Sequence, residues 1–134
     1  MALFKWTKLH AAFIPEIDAE HRNLFRLGDE LHQAALAEAG SERVRSLMQA
    51  LIAGAEDHYA HEERLMRSTH YDTFAWHQQQ HDGARRRLKQ FAESFEQGDS
   101  QAPLLCAEYF ADWAKDHLSL TDRMLGAHLR NYER

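Results

Sequence analysis

The sequence predicts an all-α protein, an antiparallel up-and-down four-helix bundle with an N-terminal arm and a short C-terminal helix. No window alternates apolar and polar residues with the period of a β-strand. Four long segments instead repeat apolar residues at the helical period, and the prolines and glycines mark the breaks between them. Because these breaks are short, we expect consecutive helices to pack antiparallel beside one another.

Capping residues give the helix boundaries. Asp18 can cap the first helix and Gly40 ends it, Ser41 can cap the second helix, and Pro103 suits the first turn of the fourth. We therefore predict a single domain, 1–134, divided into an arm at 1–17, helices at about 18–39, 42–68, 73–97 and 103–122, and a tail at 123–134.

The arm and the fourth helix both carry large apolar side chains. Large apolar residues are costly to leave in water, so we expect the arm to pack across the bundle through Phe4, Trp6, Phe13 and Ile14. The fourth helix has an inward stripe that we predict to contain Leu105, Ala107, Tyr109, Phe110, Trp113, His117 and Leu120.

Composition argues against several classes of protein. The chain is 44% hydrophobic and 28% charged, as in globular domains, and no apolar run reaches the roughly 20 residues that cross a bilayer. The N-terminal residues lack the pattern of a signal peptide and Cys106 is the only cysteine, so we expect a reducing cytoplasm. A net charge of −5 with dispersed basic residues argues against nucleic acid as a partner. We expect a monomer.

Histidine is the residue type that departs from background, with ten in 134 residues. Residues four apart share one face of a helix, so inward faces bring imidazoles and carboxylates together. Burying these groups is costly without a partner, and a metal ion suits both. The candidate ligands are His21, His58, Glu62, His77, His81, His117 and Asp122. They exceed the needs of one ion, and two ions bridged by the carboxylates fit the count.

Each of these residues also has a structural interpretation. His58 and Glu62 could form a solvated pair on a helix surface, and His21 or His117 alone could be a hydrogen-bonded core histidine. The remaining histidines and Glu63 are interpreted as residues without a metal role, because they share no stripe with the apolar residues: His10, His32, His61, His70 and His128.

Four segments together resemble the hemerythrin family, in particular its single-domain bacterial members. They are IDAEH at 17–21, HYAHEE at 58–63, HQQQH at 77–81 and WAKDHLSLTD at 113–122. The resemblance covers essentially the whole chain, including the arm with Trp6. One difference is Tyr59, since the family commonly has Phe after the first histidine of the second-helix motif, and this changes the polarity of the packing nearby.

The resemblance implies a non-haem di-iron centre that binds dioxygen reversibly. His77, His81 and His117 would hold one iron and His21 and His58 the other. Glu62 and Asp122 would bridge both irons together with an oxo or hydroxo group. The iron with fewer ligands would then have the vacancy for dioxygen. We expect an apolar wall around this vacancy from Leu24, Phe25, Trp113, Ala114 and Leu118.

Other functions remain open at this point. A ferritin-like di-iron protein would need Glu-x-x-His motifs, and the sequence has no Glu three residues before any His. A peroxidase-like or nitric-oxide-related enzyme could use the same centre, and a structural zinc or manganese site is an alternative because ligands alone do not select the metal. We predict an oxygen-binding protein and not an enzyme, with an oxygen-consuming enzyme or a signalling protein as its macromolecular partner.

Overall fold

The computed structural model describes residues 3–132, and it confirms the all-α four-helix bundle. The first and second helices pack against each other, as do the second and third, the third and fourth, and the fourth and first. Within residues 3–132, no helix has the length and apolar character needed to cross a bilayer. The helices are α1 (Pro15–Leu36), α2 (Ser41–Ser68), α3 (Phe74–Glu96), α4 (Ala102–Asp116) and, after a π-helical segment at His117–Asp122, α5 (Arg123–Tyr132).

The apolar core fills the bundle on one side of the candidate metal residues. Side chains from all four long helices meet there, and Leu31, Leu51 and Leu88 are almost completely buried. A smaller apolar cluster lies at the other end, where α5 packs against the start of α1 and the end of α2. The polar residues of the candidate site therefore lie between two apolar layers.

The first helix begins earlier than predicted, because Pro15 is its first residue and Ile14, not Asp18, is its N-cap. Pro15 suits this position because its missing N–H would have no helical partner there. Asp18 is a buried helical residue, so its assignment as the N-cap was wrong. Its carboxylate accepts hydrogen bonds from the backbone N–H groups of Ala12 (2.7 Å) and Phe13 (3.1 Å) and so fixes the end of the arm.

The arm packs on the bundle as predicted through Phe4, but not through Phe13. The Phe4 ring lies 5.4 Å from the ring of Phe25 and covers Gly28, where an added Cβ would lie 2.4 Å from the Phe4 ring. Phe13 is 54% exposed and has a positive φ of 63°. The hydrogen bonds from this turn to Asp18 maintain that conformation.

The inward stripe of α4 also differs from the prediction. Leu105 and Leu120 are exposed, and the stripe continues through residues that include Ala114 and Leu118. The difference around Leu120 arises because residues 117–122 form a π-helix, which has more residues per turn than an α-helix.

Glycines mark fewer breaks than predicted. Gly40 and Gly98 lie between helices, whereas the other four glycines lie inside them: Gly28, Gly54, Gly83 and Gly126. Gly126 permits close packing of α5 on the arm, since an added Cβ would lie 2.1 Å from the backbone oxygen of Ala12. Helical glycines therefore serve helix contacts in this chain as well as turns.

Candidate metal centre

The structure brings all seven predicted metal-binding residues together in the middle of the bundle. Each is at most 4% exposed. Their donor atoms form two groups whose members all lie within 4.8 Å of one another, and both groups contain Glu62 and Asp122. The larger group adds His77, His81 and His117, and the smaller adds His21 and His58. Two neighbouring sites that share two carboxylates are thus present in the fold.

The donor atoms of the seven residues converge, and hydrogen bonds among them do not satisfy every atom. His21 Nε2 lies 2.8 Å from His58 Nε2, and His77 Nε2 lies 3.0 Å from Asp122 Oδ1. Both carboxylates and the Nε2 atoms of His77, His81 and His117 are buried without a hydrogen-bond partner among the described residues. Buried polar atoms in folded proteins normally have a hydrogen-bond partner. A cation bound between these converging atoms would compensate for the missing partners.

Helical periodicity positions four of these residues directly. His58 and Glu62 lie one turn apart on α2, with 3.3 Å between His58 Nε2 and a Glu62 oxygen. His77 and His81 lie one turn apart on α3, with ring centroids 4.6 Å apart. This is the same-face geometry that the sequence predicts for residues four apart.

The π-helical segment positions the remaining pair on one helix. Residues five apart on an α-helix point about 140° away from each other. His117 and Asp122 are five apart and are the first and last residues of the π-helix, in which each turn has one more residue. As a result, His117 Nε2 lies 3.0 Å from Asp122 Oδ1. No signal that we used in the sequence predicts this change of helix type.

Three histidines have their outer ring nitrogens held by polar side chains. The Nδ1 atoms of His58, His81 and His117 pair with Glu20 (2.6 Å), Glu63 (2.9 Å) and Gln80 (2.8 Å), respectively. A hydrogen bond at Nδ1 fixes the tautomer that leaves Nε2 free to bind a cation. The sequence does not predict these three partners, and Glu63 is interpreted from it as a residue without a metal role, although its position next to Glu62 was the available signal.

Glu63 and Glu20 lie in different surroundings. Arg85 donates hydrogen bonds to Glu63, Glu56 and Asp82. Burial alone would raise the pKa of Glu63, but the hydrogen bonds from His81 and Arg85 lower that pKa to about 2. Glu20 has no arginine partner among the described residues and pairs instead with His61, at 2.8 Å.

The electrostatics of the centre favour ionised carboxylates. Burial opposes ionisation, but the neighbouring imidazoles hold the pKa values of Glu62 and Asp122 well below their usual range. Burial likewise disfavours charged histidine, yet Glu62, the hydrogen bond to Glu20 and Asp122 raise the pKa of His58 to about 10. Asp122 and Glu62 raise the pKa of His77 to about 9. For His117 burial prevails and lowers the pKa. Without a cation, imidazoles of the centre therefore carry protons, and a bound cation would displace those protons.

Aromatic rings cover two of the imidazoles. The Tyr59 ring stacks on His81 with 4.4 Å between centroids, and the Trp113 ring stacks on His117 at 4.2 Å. Stacked rings restrict the orientation of the imidazoles and keep water away from them.

A small cavity adjoins the centre. The centre of a water-sized sphere can occupy about 10 Å³ of it, which is roughly the room one water molecule needs. It is lined by the two histidines of the smaller donor group, His21 and His58, and also by His117 and Asp122. Its other lining residues are the five expected apolar wall residues together with Tyr59 and Phe110: Leu24, Phe25, Tyr59, Phe110, Trp113, Ala114 and Leu118.

The five histidines without a predicted metal role lie outside both donor groups. His10 accepts a hydrogen bond from the backbone N–H of Thr7 at 3.0 Å, and His128 pairs with Thr69 at 2.9 Å. These two residues are therefore engaged in local structure.

Comparisons with known proteins agree with this geometry. The family model described as the hemerythrin HHE cation binding domain matches residues 12–129. A bacteriohemerythrin of Aquifex aeolicus (strain VF5) is 29% identical over 108 residues, which are 79% of this chain and 82% of the relative. Crystal structures of a Leu-to-Tyr and a Leu-to-Ala mutant of hemerythrin superpose with a TM-score of 0.88, at 25% and 26% identity, over 96% of this chain and 98% of theirs. The chain thus belongs to the hemerythrin family.

Proposed function

We propose that this chain binds dioxygen reversibly at a non-haem centre of two iron ions. One observation carries the proposal: two buried donor groups share Glu62 and Asp122. Their imidazole and carboxylate donors suit iron, and the shared carboxylates suit a pair of ions with an oxo or hydroxo bridge. The relative from Aquifex aeolicus is named as a bacteriohemerythrin, which supports the same assignment.

The two donor groups are unequal, and this inequality supports binding of an external ligand. His77, His81 and His117 would hold one ion and His21 and His58 the other, so the second ion has one protein ligand fewer. The cavity is lined by both histidines of the smaller group, His21 and His58, but by only one histidine of the larger group, His117. When bound, the iron pair supplies the two electrons that dioxygen accepts reversibly.

The chain's own residues would keep this chemistry reversible. The apolar wall of the cavity, which includes Leu118 and Phe25, excludes water and bulky reductants from the centre. The hydrogen bonds at the outer nitrogens of His58, His81 and His117 hold each imidazole in one orientation. These features suit carriage, storage, delivery or sensing of oxygen and not catalytic turnover.

The cellular setting is part of the proposal. Cys106 is buried and is the only cysteine, which supports a reducing cytoplasm. We propose a monomer that meets an oxygen-consuming enzyme or a signalling protein, and size-exclusion chromatography of the loaded protein tests its oligomeric state.

The test is the visible absorption spectrum of the anaerobically reduced protein, with iron quantified alongside. The colourless reduced form should gain a charge-transfer band in air, lose it again when oxygen is removed, and contain two irons per chain. A spectrum that oxygen does not change would overturn the proposal and favour a structural zinc or manganese site. An irreversible change, or fast turnover with peroxide, would favour an enzyme.

A further inference from the structure

Tyr59 has a buried hydroxyl group whose role the packing does not explain. The side chain is 1% exposed, and its hydroxyl oxygen has no hydrogen-bond partner among the described residues. Leaving a buried polar group without a partner destabilises the folded state. Such a group in a folded protein calls for an explanation, and a hydrogen bond to a bound small molecule would supply one.

The contacts of Tyr59 belong to its ring and not to its hydroxyl. The ring stacks on His81, meets Trp113 edge-on at 5.5 Å between centroids, and lies beneath the guanidinium of Arg85, 5.4 Å away. A phenylalanine ring would make the same three contacts. The hydroxyl therefore adds a polar group to a site whose packing does not require one.

Tyr59 also lines the cavity beside the centre. Apart from the four candidate metal-binding residues, the other lining residues offer mainly apolar surface, and of these only Trp113 has a side-chain donor, its indole N–H: Leu24, Phe25, Phe110, Trp113, Ala114 and Leu118. Tyr59 is thus the one lining side chain that carries a hydroxyl. In a largely apolar cavity a hydroxyl donor discriminates strongly between ligands that accept a hydrogen bond and ligands that do not.

We propose that the Tyr59 hydroxyl donates a hydrogen bond to the small ligand that occupies this cavity, and so sets the affinity and selectivity of the site. The ligand class is di- or triatomic molecules with an accepting terminal atom, such as dioxygen or azide. This inference rests on the proposed function, because it takes the cavity as the place where the external ligand binds.

The experiment compares wild type with Tyr59→Phe, which keeps the ring and removes only the hydroxyl. Tyr109→Phe is the matched control, because Tyr109 is a half-buried tyrosine on α4 that packs on Phe91 and does not line the cavity. Three quantities are measured for each iron-loaded protein: the dissociation constant of azide in the oxidised form, the oxygen affinity of the reduced form, and the urea midpoint without added ligand.

Tyr59→Phe should weaken azide binding about three- to tenfold, as expected for one lost hydrogen bond, and should leave the urea midpoint unchanged or raised. Tyr109→Phe should leave azide binding unchanged. The oxygen affinity of the reduced protein should fall in parallel with the azide affinity.

Two results would overturn the inference. Unchanged azide and oxygen binding in Tyr59→Phe would mean that the hydroxyl does not reach the ligand. A lowered urea midpoint with unchanged ligand binding would mean that the hydroxyl has a structural role, for example through an ordered water. Failure of the proposed function is distinguishable, because the wild-type protein itself would then lack a reversible oxygen spectrum.

Discussion

His117 Nε2 and Asp122 Oδ1 lie 3.0 Å apart although the two residues are five positions apart in the sequence. This contact exists because the chain between them is π-helical. On either side the chain is α-helical, so the extra residue changes the register of α5 relative to α4 as well as the direction of Asp122. The geometry of the centre and the packing of the C-terminal helix therefore depend on the same six residues.

Inserting one alanine after Leu120 should abolish the paired site. The insertion places His117 and Asp122 six residues apart, which on an α-helix turns the Asp122 carboxylate about 120° away from His117 and exceeds the five-residue spacing that brings the two together in the π-helix. We expect less than one iron per chain after reconstitution, measured by metal analysis, with helical content by circular dichroism preserved. Leu120→Ala is the control, because Leu120 is exposed and the substitution keeps the register. Full iron content in the insertion variant would contradict the role assigned to the π-helix.

Glu63→Gln should weaken metal binding. Glu63 accepts a hydrogen bond from His81 Nδ1, and glutamine keeps an acceptor oxygen but loses the negative charge that strengthens this bond. Mutation of such a partner typically costs 10–100-fold in metal affinity. Competition with a chelator of known affinity measures the change. Glu56→Gln is the matched control, since Glu56 also accepts hydrogen bonds from Arg85 but is exposed and does not contact a candidate metal-binding residue. Equal effects of the two substitutions would assign the loss to Arg85 and not to His81.

Metal binding at pH 7 should release protons. The pKa of His58 is raised to about 10 and that of His77 to about 9, mainly by Glu62 and Asp122 against the effect of burial, so both are protonated in the metal-free protein. A histidine must be neutral to bind a metal ion, so we expect release of about two protons from these residues. Affinity should consequently rise with pH up to about pH 10.

Titration calorimetry with zinc in buffers of different ionisation enthalpy counts these protons. His117 should contribute none, because burial lowers its pKa and leaves it neutral at pH 7. An observed enthalpy that does not depend on the buffer would rule out this protonation state.

Gly126→Ala should destabilise the fold. The added Cβ would lie 2.1 Å from the backbone oxygen of Ala12, and a backbone atom cannot move aside cheaply. We expect a loss of about 1–3 kcal/mol in the free energy of unfolding, measured by urea denaturation. At Gly83, where the nearest atom is 3.9 Å away, the same substitution should stabilise the helix by up to about 1 kcal/mol. Similar values at both positions would show that α5 and the arm can separate without cost.

Apolar periodicity in the sequence predicts the four long helices and the identity of the candidate metal-binding residues. Helical periodicity is a local property, so His58 with Glu62, and His77 with His81, share a face once their segments are helical. The buried polar positions within apolar stripes were likewise visible without coordinates. The same local reasoning failed where a residue's role depends on a distant partner, as for Asp18, which binds the arm and does not cap its helix.

Three other features of the site depend on contacts between helices and follow only from the folded structure. The π-helical register between His117 and Asp122 depends on packing in the bundle, because an α-helix is the local default and nothing in the segment forbids it. The outer nitrogens of three histidines form hydrogen bonds with side chains on other helices, and periodicity along one helix does not predict such partners. The pairs are His58 with Glu20, His81 with Glu63, and His117 with Gln80. The unpartnered hydroxyl of Tyr59 can be recognised only when every neighbour is known, because hydrogen-bond satisfaction is a property of the folded interior.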